Sequence, residues 1–228
     1  EKFYFYNDTG FEWTDDFTSS IQSSTILYAA GQGTVGYMGD NTTTNKSSPV
    51  TVLGGFTDWN SINTGYRALF GIRNNGILYA WGEGYDGQLG TGDTIDKSSP
   101  VTVSGGITNW SSVAGGERHT LGLTATGVLY AWGGDFPTPS GELGTNDAIK
   151  RSSPVTVVGG ITNWNAIAAG QDFSAGITDT GVLYAWGDNS YGQLGTDDAI
   201  KRSSPVTVAG GITNWNAIAA GQDFSAGI

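Results

Sequence analysis

The sequence predicts an all-β fold, a β-propeller-type array of four-stranded antiparallel blades, and three observations carry that expectation. First, one phrase recurs: ILYAAGQGTVGYMGD at 26–40, ILYAWGEGYDGQLGT at 77–91, VLYAWGGDFPTPSGELGT at 128–145 and VLYAWGDNSYGQLGT at 182–196. Second, landmarks keep step with it. Trp81, Trp132 and Trp186 lie 51 and then 54 residues apart. Pro49, Pro100, Pro154 and Pro205 lie 51, 54 and 51 apart, as do Trp59, Trp110, Trp164 and Trp215. A fixed period of this size marks copies of one supersecondary unit, each too small to bury its own apolar face. Third, each period holds four short runs rich in β-branched and aromatic residues, bounded by Gly, Asn, Asp, Ser or Pro, and no helical periodicity of useful length. Four short strands per period describe a propeller blade; β-solenoid coils repeat over shorter periods.

Residues 1–25 read as a diverged half-repeat acting as an N-terminal cap. Phe17 to Ile21 stands where Phe173 to Ile177 stands later, and Phe3, Phe5, Phe11 and Trp13 take the place of an earlier strand. Terminal repeats are commonly atypical in this way. The units then run 26–76, 77–127, 128–181 and 182–228, the fourth incomplete at its end, all in one propeller domain. Within a unit the runs are LYAWG, SPVTV (Pro154 to Val157), NWNAIAAG (Asn163 to Gly170) and DFSAGI (Asp172 to Ile177). Each Pro is placed at the opening of its strand, where a missing N–H is tolerated. Gly54-Gly55, Gly105-Gly106, Gly159-Gly160 and Gly210-Gly211 mark tight connections.

LYAWGxNxxGQLG, a Pro-Val strand, Trp-x-x-Ile-Ala-Ala-Gly and a Ser-Ala-Gly strand together resemble the regulator-of-chromosome-condensation repeat, over residues 26–228. The resemblance implies a β-propeller, usually of seven blades. The founding member of that family promotes nucleotide exchange on a small GTPase while sitting on chromatin. Seven blades at this period need about 350 residues, so the chain is expected to be part of a longer array. It departs from the pattern in having four full motifs, in Ala30 standing where other copies have Trp, and in residues 200–228 repeating 149–177 with one change, Val158 against Ala209.

Composition excludes several functions. Gly is 37 of 228 residues and only 14 % are charged, yet the aromatics recur at fixed positions and supply a core. A net charge of −11 argues against nucleic acid, which needs a basic face. With no cysteine there are no disulfides or thiolate sites, and no apolar run is long enough to span a membrane as a helix.

Few residues suggest chemistry. The Gly-rich phrase at 187–195 lacks the Lys-Ser/Thr ending and following helix of a phosphate loop, so it reads as a tight turn. Asp93, Asp96, Asn146, Asp147, Asp197 and Asp198 match no calcium-loop spacing and read as solvated turn residues. Lys46, Lys97, Lys150-Arg151 and Lys201-Arg202 intersperse with them on one rim as a soluble surface. His119, the one histidine, occupies the slot of Phe173 and Phe224 and reads as a packing residue. Asn7, Asn41, Asn45 and Asn109 head glycosylation sequons. No catalytic centre, metal or cofactor is expected.

The structural positions are Trp59, Trp81, Trp110, Trp132, Trp164, Trp186 and Trp215, with Pro49, Pro100, Pro154 and Pro205. The candidate interaction loop is the insertion at Asp135, Phe136, Pro137, Thr138 and Pro139, since insertions in repeat proteins map to loops on one face. Uniform repeats, few charges and Gly/Thr-rich turns suggest a non-enzymatic display module. The main expectation is an extracellular or virion-surface structural protein, of the phage tail-fibre or microbial adhesion kind. Its partners would be copies of itself, neighbouring surface proteins, or a host receptor or glycan. The alternative is a regulatory propeller acting as a guanine-nucleotide exchange factor or scaffold for a small GTPase.

Overall fold

The computed structural model describes residues 25–134 and 140–228. The expected N-terminal cap, apart from Thr25, and the insertion at 135–139 lie outside the described residues. Three antiparallel four-stranded sheets follow one another along the chain. Blade I is β3 (Trp59–Thr64), β4 (Ala68–Arg73), β5 (Leu78–Gly82) and β6 (Lys97–Thr102). Blade II is β7 (Trp110–Gly115), β8 (His119–Thr124), β9 (Leu129–Gly133) and β10 (Arg151–Thr156). Blade III is β11 (Trp164–Ala169), β12 (Phe173–Thr178), β13 (Leu183–Gly187) and β14 (Arg202–Thr207). Two-stranded pairs flank them: β1 (Tyr28–Gly31) with β2 (Lys46–Thr51), and β15 (Ile218–Ala220) with β16 (Ser225–Gly227). Apart from one 3-10 turn at Thr34–Gly36, the described residues hold no helix.

Each blade is a meander whose strands pair in chain order, so every connection is short and local. The blades are offset by half a period from the units counted in sequence. A blade takes its first two strands from one unit and its last two, LYAWG and the Pro-Val run, from the next. The first strands β3, β7, β11 and β15 lie against one another in series, which places them on the inside of the array.

The prolines do not open their strands. Pro154 sits inside β10, which starts at Arg151, in the stretch where the register with β9 slips between Arg151 and Val155. The same slip recurs opposite β5 and β13. Each is an outermost strand, and a bulged edge is where a residue without an N–H does least damage.

Packing inside a blade is an aromatic layer. Trp110 meets Tyr130 edge-on at 5.4 Å and Trp132 at 5.7 Å, and Trp164 meets Tyr184 and Trp186 at 5.4 and 5.8 Å. The second strand makes room with a glycine. A Cβ on Gly122 would sit 2.5 Å from the Trp110 ring, and Gly71 and Gly176 face Trp59 and Trp164 in the same way. Trp81, Trp132 and Trp186 are fully buried. Each donates its indole N–H to the loop of the preceding sheet: Trp81 to Tyr37 O at 3.1 Å, Trp132 to Gln88 O and Trp186 to Glu142 O at 2.9 Å. Thr120, Ser174 and Ser225 each donate a hydroxyl to such a loop, to Gln88 O, Glu142 O and Gln193 O at 2.8 Å. The motif that dominates the sequence is therefore a set of staples between blades.

Candidate functional site at the blade junctions

The residues singled out from sequence are mostly scaffold. Trp59, Trp110 and Trp164 are buried at the head of each blade, Trp215 is partly buried at the last strand pair, and the four prolines lie on edge strands. His119 is buried between blades II and III, with Nε2 at 2.9 Å from Ser174 Oγ. The Ser174 hydroxyl gives its proton to Glu142 O at 2.8 Å, so Nε2–H is the donor and Nδ1 is left without a partner. Burial pushes the His119 pKa down, against a smaller upward pull from Glu142. Burial is the larger effect, so His119 is held as a neutral, packed imidazole.

The acidic turn residues are not simply solvated. Asp147 accepts from Thr145 Oγ1 at 2.8 Å, from Ile149 N at 3.2 Å and from Arg151 at 2.7 Å. Asp93 and Asp198 repeat the clamp with Lys97 and Arg202, and Asp40 pairs with Thr42 and Lys46. Hydrogen bonds hold these carboxyls below the usual value, led by the Thr145 side chain for Asp147, by Lys97 for Asp93, by Lys46 for Asp40 and by the Ile200 backbone N–H for Asp198. They lock the turn before each outer strand. Among the described residues no group of three or more His, Asp or Glu is arranged to hold a metal ion.

Two of the concavities measure several hundred Å³. On the inside, the turns at Thr64–Tyr66, Gly115–Glu117, Ala169–Gln171 and Ala220–Gln222 come together around a space of about 400 Å³. Their backbones are joined in series, Tyr66 N to Gly116 O at 3.1 Å and Glu117 N to Gln171 O at 3.3 Å.

The larger is a cleft of about 940 Å³ between the β1–β2 pair and blade I. The loop after β1 contributes Gln32, Thr34, Val35 and Tyr37; blade I contributes Tyr66, Arg67, Glu83, Tyr85, Ile95 and Asp96. Tyr66 and Tyr85 are exposed, 70 % and 68 %. Arg67 Nη1 donates to both Glu83 oxygens at 3.1 and 3.3 Å, and its guanidinium lies 5.4 Å from the Tyr66 ring centre. Burial and the neighbouring Glu83 push the Tyr37 hydroxyl above its usual pKa. Val35 takes φ +52°, a backbone state that a β-branched side chain rarely adopts. Of this lining the sequence singles out only Asp96, as a turn residue, because the rest fall in loop positions that vary between copies.

Comparison with known proteins places these features. A family model described as "Regulator of chromosome condensation (RCC1) repeat" matches residues 75–123 and 180–228, and a second of the same description matches 164–193, together about half of the chain. The chain is 29% identical over 195 residues to the Ultraviolet-B receptor UVR8 of Arabidopsis thaliana, covering 84% of this chain and 43% of that protein. It is 30% identical over 201 residues to the E3 ubiquitin-protein ligase HERC2 of Homo sapiens, covering 85% of this chain and 4% of that protein. It is 34% identical over 144 residues to the X-linked retinitis pigmentosa GTPase regulator of Canis lupus familiaris, covering 61% of this chain and 14% of that protein. Among solved structures, human WBSCR16 superposes with TM-score 0.76 at 21% identity, over 90% of this chain and 53% of that one. Prp20p of Saccharomyces cerevisiae, described with its binding to Gsp1p and histones, superposes with TM-score 0.75 at 20% identity, over 89% and 51%. These likenesses fix the fold as a β-propeller of that kind. The chain spans about half the length of the solved structures, and less than half of the curated relatives.

The expectation of a structural or adhesive display module of the virion, phage tail-fibre or surface-adhesion kind is overturned by these relatives, which are a receptor, a ligase and a GTPase regulator. The physical reason is visible in the staples. Uniform repeats suggest passive display, but the uniform positions are the indoles, hydroxyls and glycines that tie one blade to the next. Uniformity there reports on scaffold alone.

Proposed function

Because the chain belongs to the regulator-of-chromosome-condensation repeat family, we propose that it is a non-enzymatic regulatory propeller that acts by binding partner proteins through its blade-junction loops. The observation that carries this reading is the tyrosine-lined cleft beside Arg67. Exposed Tyr66 and Tyr85 next to a guanidinium and two carboxylates are the composition of an interface hot spot rather than of a reaction centre. The ligase name of one relative attaches to a protein of which this chain covers 4%, so it lends no support to a catalytic role here.

A small GTPase is the partner class favoured by two observations: one relative is named a GTPase regulator, and Prp20p is described with its binding to Gsp1p. The test is to immobilise the chain and pass over it a panel of purified small GTPases, each loaded with GDP, loaded with a GTP analogue, or stripped of nucleotide. Saturable binding that depends on the nucleotide state, or faster nucleotide release in solution, is the expected result. A panel in which no member binds in any state overturns the GTPase partner.

A further inference from the structure

The hairpin turn between the second and third strands is built in two ways. In blade II it is Thr124-Ala125-Thr126-Gly127-Val128, and the Thr124 hydroxyl accepts from Val128 N at 3.0 Å. Blade III repeats this, with Thr178 Oγ1 accepting from Val182 N at 3.1 Å. Blade I carries Arg73-Asn74-Asn75-Gly76-Ile77 instead. Arg73 has no hydroxyl to offer, and its guanidinium donates to the Asp58 carboxylate at 2.7 and 3.1 Å. The Ile77 N–H goes to the side-chain carbonyl of Asn75, at 3.1 Å.

This turn places a carboxamide where it can react. Asn75-Gly76 is the one Asn-Gly pair in the sequence. Accepting from the N–H two residues on turns the Asn75 side chain back towards the intervening Gly76 nitrogen. Glycine puts no side chain beside that nitrogen. The Ile77 N–H polarises the Asn75 Cγ–Oδ1 carbonyl and faces the oxygen on which charge develops under attack. Asn75 is exposed, so water and hydroxide reach it. The Gly76 N–H is held by Arg73 O at 2.8 Å and has to be released first, in a surface turn where local opening costs little. At Asp86-Gly87, the one Asp-Gly pair, the carboxylate is instead buried and held by Lys150 Nζ at 2.9 Å.

We propose that Asn75 is a site of spontaneous, backbone-assisted deamidation, and that the reaction loosens the junction between blades I and II. The inference is independent of which partner the protein binds. Hydroxide removes the Gly76 amide proton, the nitrogen bonds to Asn75 Cγ, and the Cγ–Nδ2 bond breaks. Nδ2 takes a proton from water and leaves as ammonia, which restores the hydroxide. One water then opens the resulting cyclic imide. Cleavage between the Gly76 nitrogen and Cγ gives aspartate. Cleavage between that nitrogen and the main-chain carbonyl carbon of residue 75 gives isoaspartate, whose chain runs through the former side chain and is longer by one methylene. No oxidant or cofactor is consumed. The lengthened link enters the turn directly before Gly76, whose carbonyl accepts from Trp110 N of blade II at 3.0 Å. Trp164 N to Gly127 O, at 3.1 Å, is the same tie one junction on, where Thr126 has no amide to lose.

The test incubates the 228-residue chain at pH 6 and at pH 8.5 and maps its peptides by mass spectrometry, with an isoaspartyl methyltransferase as the probe for isoaspartate. Conversion is expected at Asn75 about tenfold faster than at any other asparagine, since each of the others is followed by a residue with a side chain, and faster at the higher pH. Asn75→Thr, the residue of the other two blades, should abolish methylation at this turn. Asn74→Ala, the residue of blade II, should leave the rate unchanged. Arg73→Thr should slow conversion severalfold, because its hydroxyl can take the Ile77 N–H as Thr124 takes that of Val128. In the converted chain, hydrogen exchange should speed up at Trp110 N and not at Trp164 N, and aged Asn75→Thr should show no such change. Conversion at Asn75 no faster than at the other asparagines overturns the site. An unchanged rate in a folded Arg73→Thr overturns the part given to the Ile77 N–H. Unchanged exchange at Trp110 in a converted chain overturns the effect on the junction.

Discussion

Trp132 donates its indole N–H to the carbonyl of Gln88, 44 residues earlier in the chain and one blade away, at 2.9 Å. The same carbonyl accepts from Thr120 Oγ1 at 2.8 Å, so two strands of blade II are tied to one atom of blade I. Trp132→Ala removes both a buried ring and the tie, and should cost about 3–5 kcal/mol in chemical denaturation. Trp132→Phe keeps part of the ring and should cost less, about 1–3 kcal/mol, of which roughly 1 kcal/mol is the hydrogen bond. Trp215→Ala, at the partly buried copy of Trp110, should cost less than Trp110→Ala. Equal losses at both sites would mean that burial between blades does not set the effect.

Gly122 faces two indoles at once. A Cβ there would sit 2.5 Å from Trp110 and 2.8 Å from Trp132. Gly122→Ala should therefore destabilise by about 1–3 kcal/mol through overpacking, although alanine is otherwise better tolerated than glycine in a strand. A neutral or stabilising result by thermal denaturation would show that the rings can shift.

His119 sets a pH dependence. Burial holds its folded pKa below the ordinary 6.5, so below that pH the unfolded chain takes up the proton more readily. Its contribution to stability is complete above pH 6.5 and is lost as pH falls through 6.5 towards the lower folded value. His119→Phe, which restores the residue of the other copies, should remove this slope and narrow the gap between Tm at pH 7.5 and at pH 5.5. An unchanged gap would show that another group titrates there.

The turn clamps act in a lower window. Asp40, Asp93, Asp147 and Asp198 all have folded pKa values held below 3.8 by their turn and basic partners. Their contribution is present above pH 3.8 and is lost as pH falls through the depressed values. Asp147→Ala should lower Tm at pH 7 and lower it progressively less as pH falls below 3.8 and the parent clamp takes up its proton. The same shift at every pH would place the effect elsewhere.

The tandem period, the four strands and the recurring indoles were legible because they are repeated, and repetition is what a single sequence displays best. The half-period offset was not legible, since a cyclic pattern has no marked beginning. Nor was the position of Pro154 inside β10: the residues before it, Arg151 to Ser153, are polar and read as loop, while the bulge that admits the proline exists only in the pairing with β9. The cleft left one trace, Asp96 where Lys150 and Lys201 stand, yet lysine and aspartate both read as solvated rim until Lys150 is seen to reach Asp86 of the preceding blade. The function was illegible for a related reason. The shared positions describe the staples, while partner choice lies in the residues that differ.

The half-period offset also governs how such a chain can change its length. Because every blade draws its two inner strands from one unit and its two outer strands from the next, a copying event of one period inserts a blade whose halves come from two different parents. Both new junctions are then assembled from old pairs of complementary surfaces, whatever the phase of the cut. A loss of one period rejoins in the same manner. Residues 200–228, which match 149–177 at all but one position, show how little the receiving neighbours ask of a fresh copy. Length variants of this array are therefore expected to differ by whole periods, with each surviving seam already proven by an existing one.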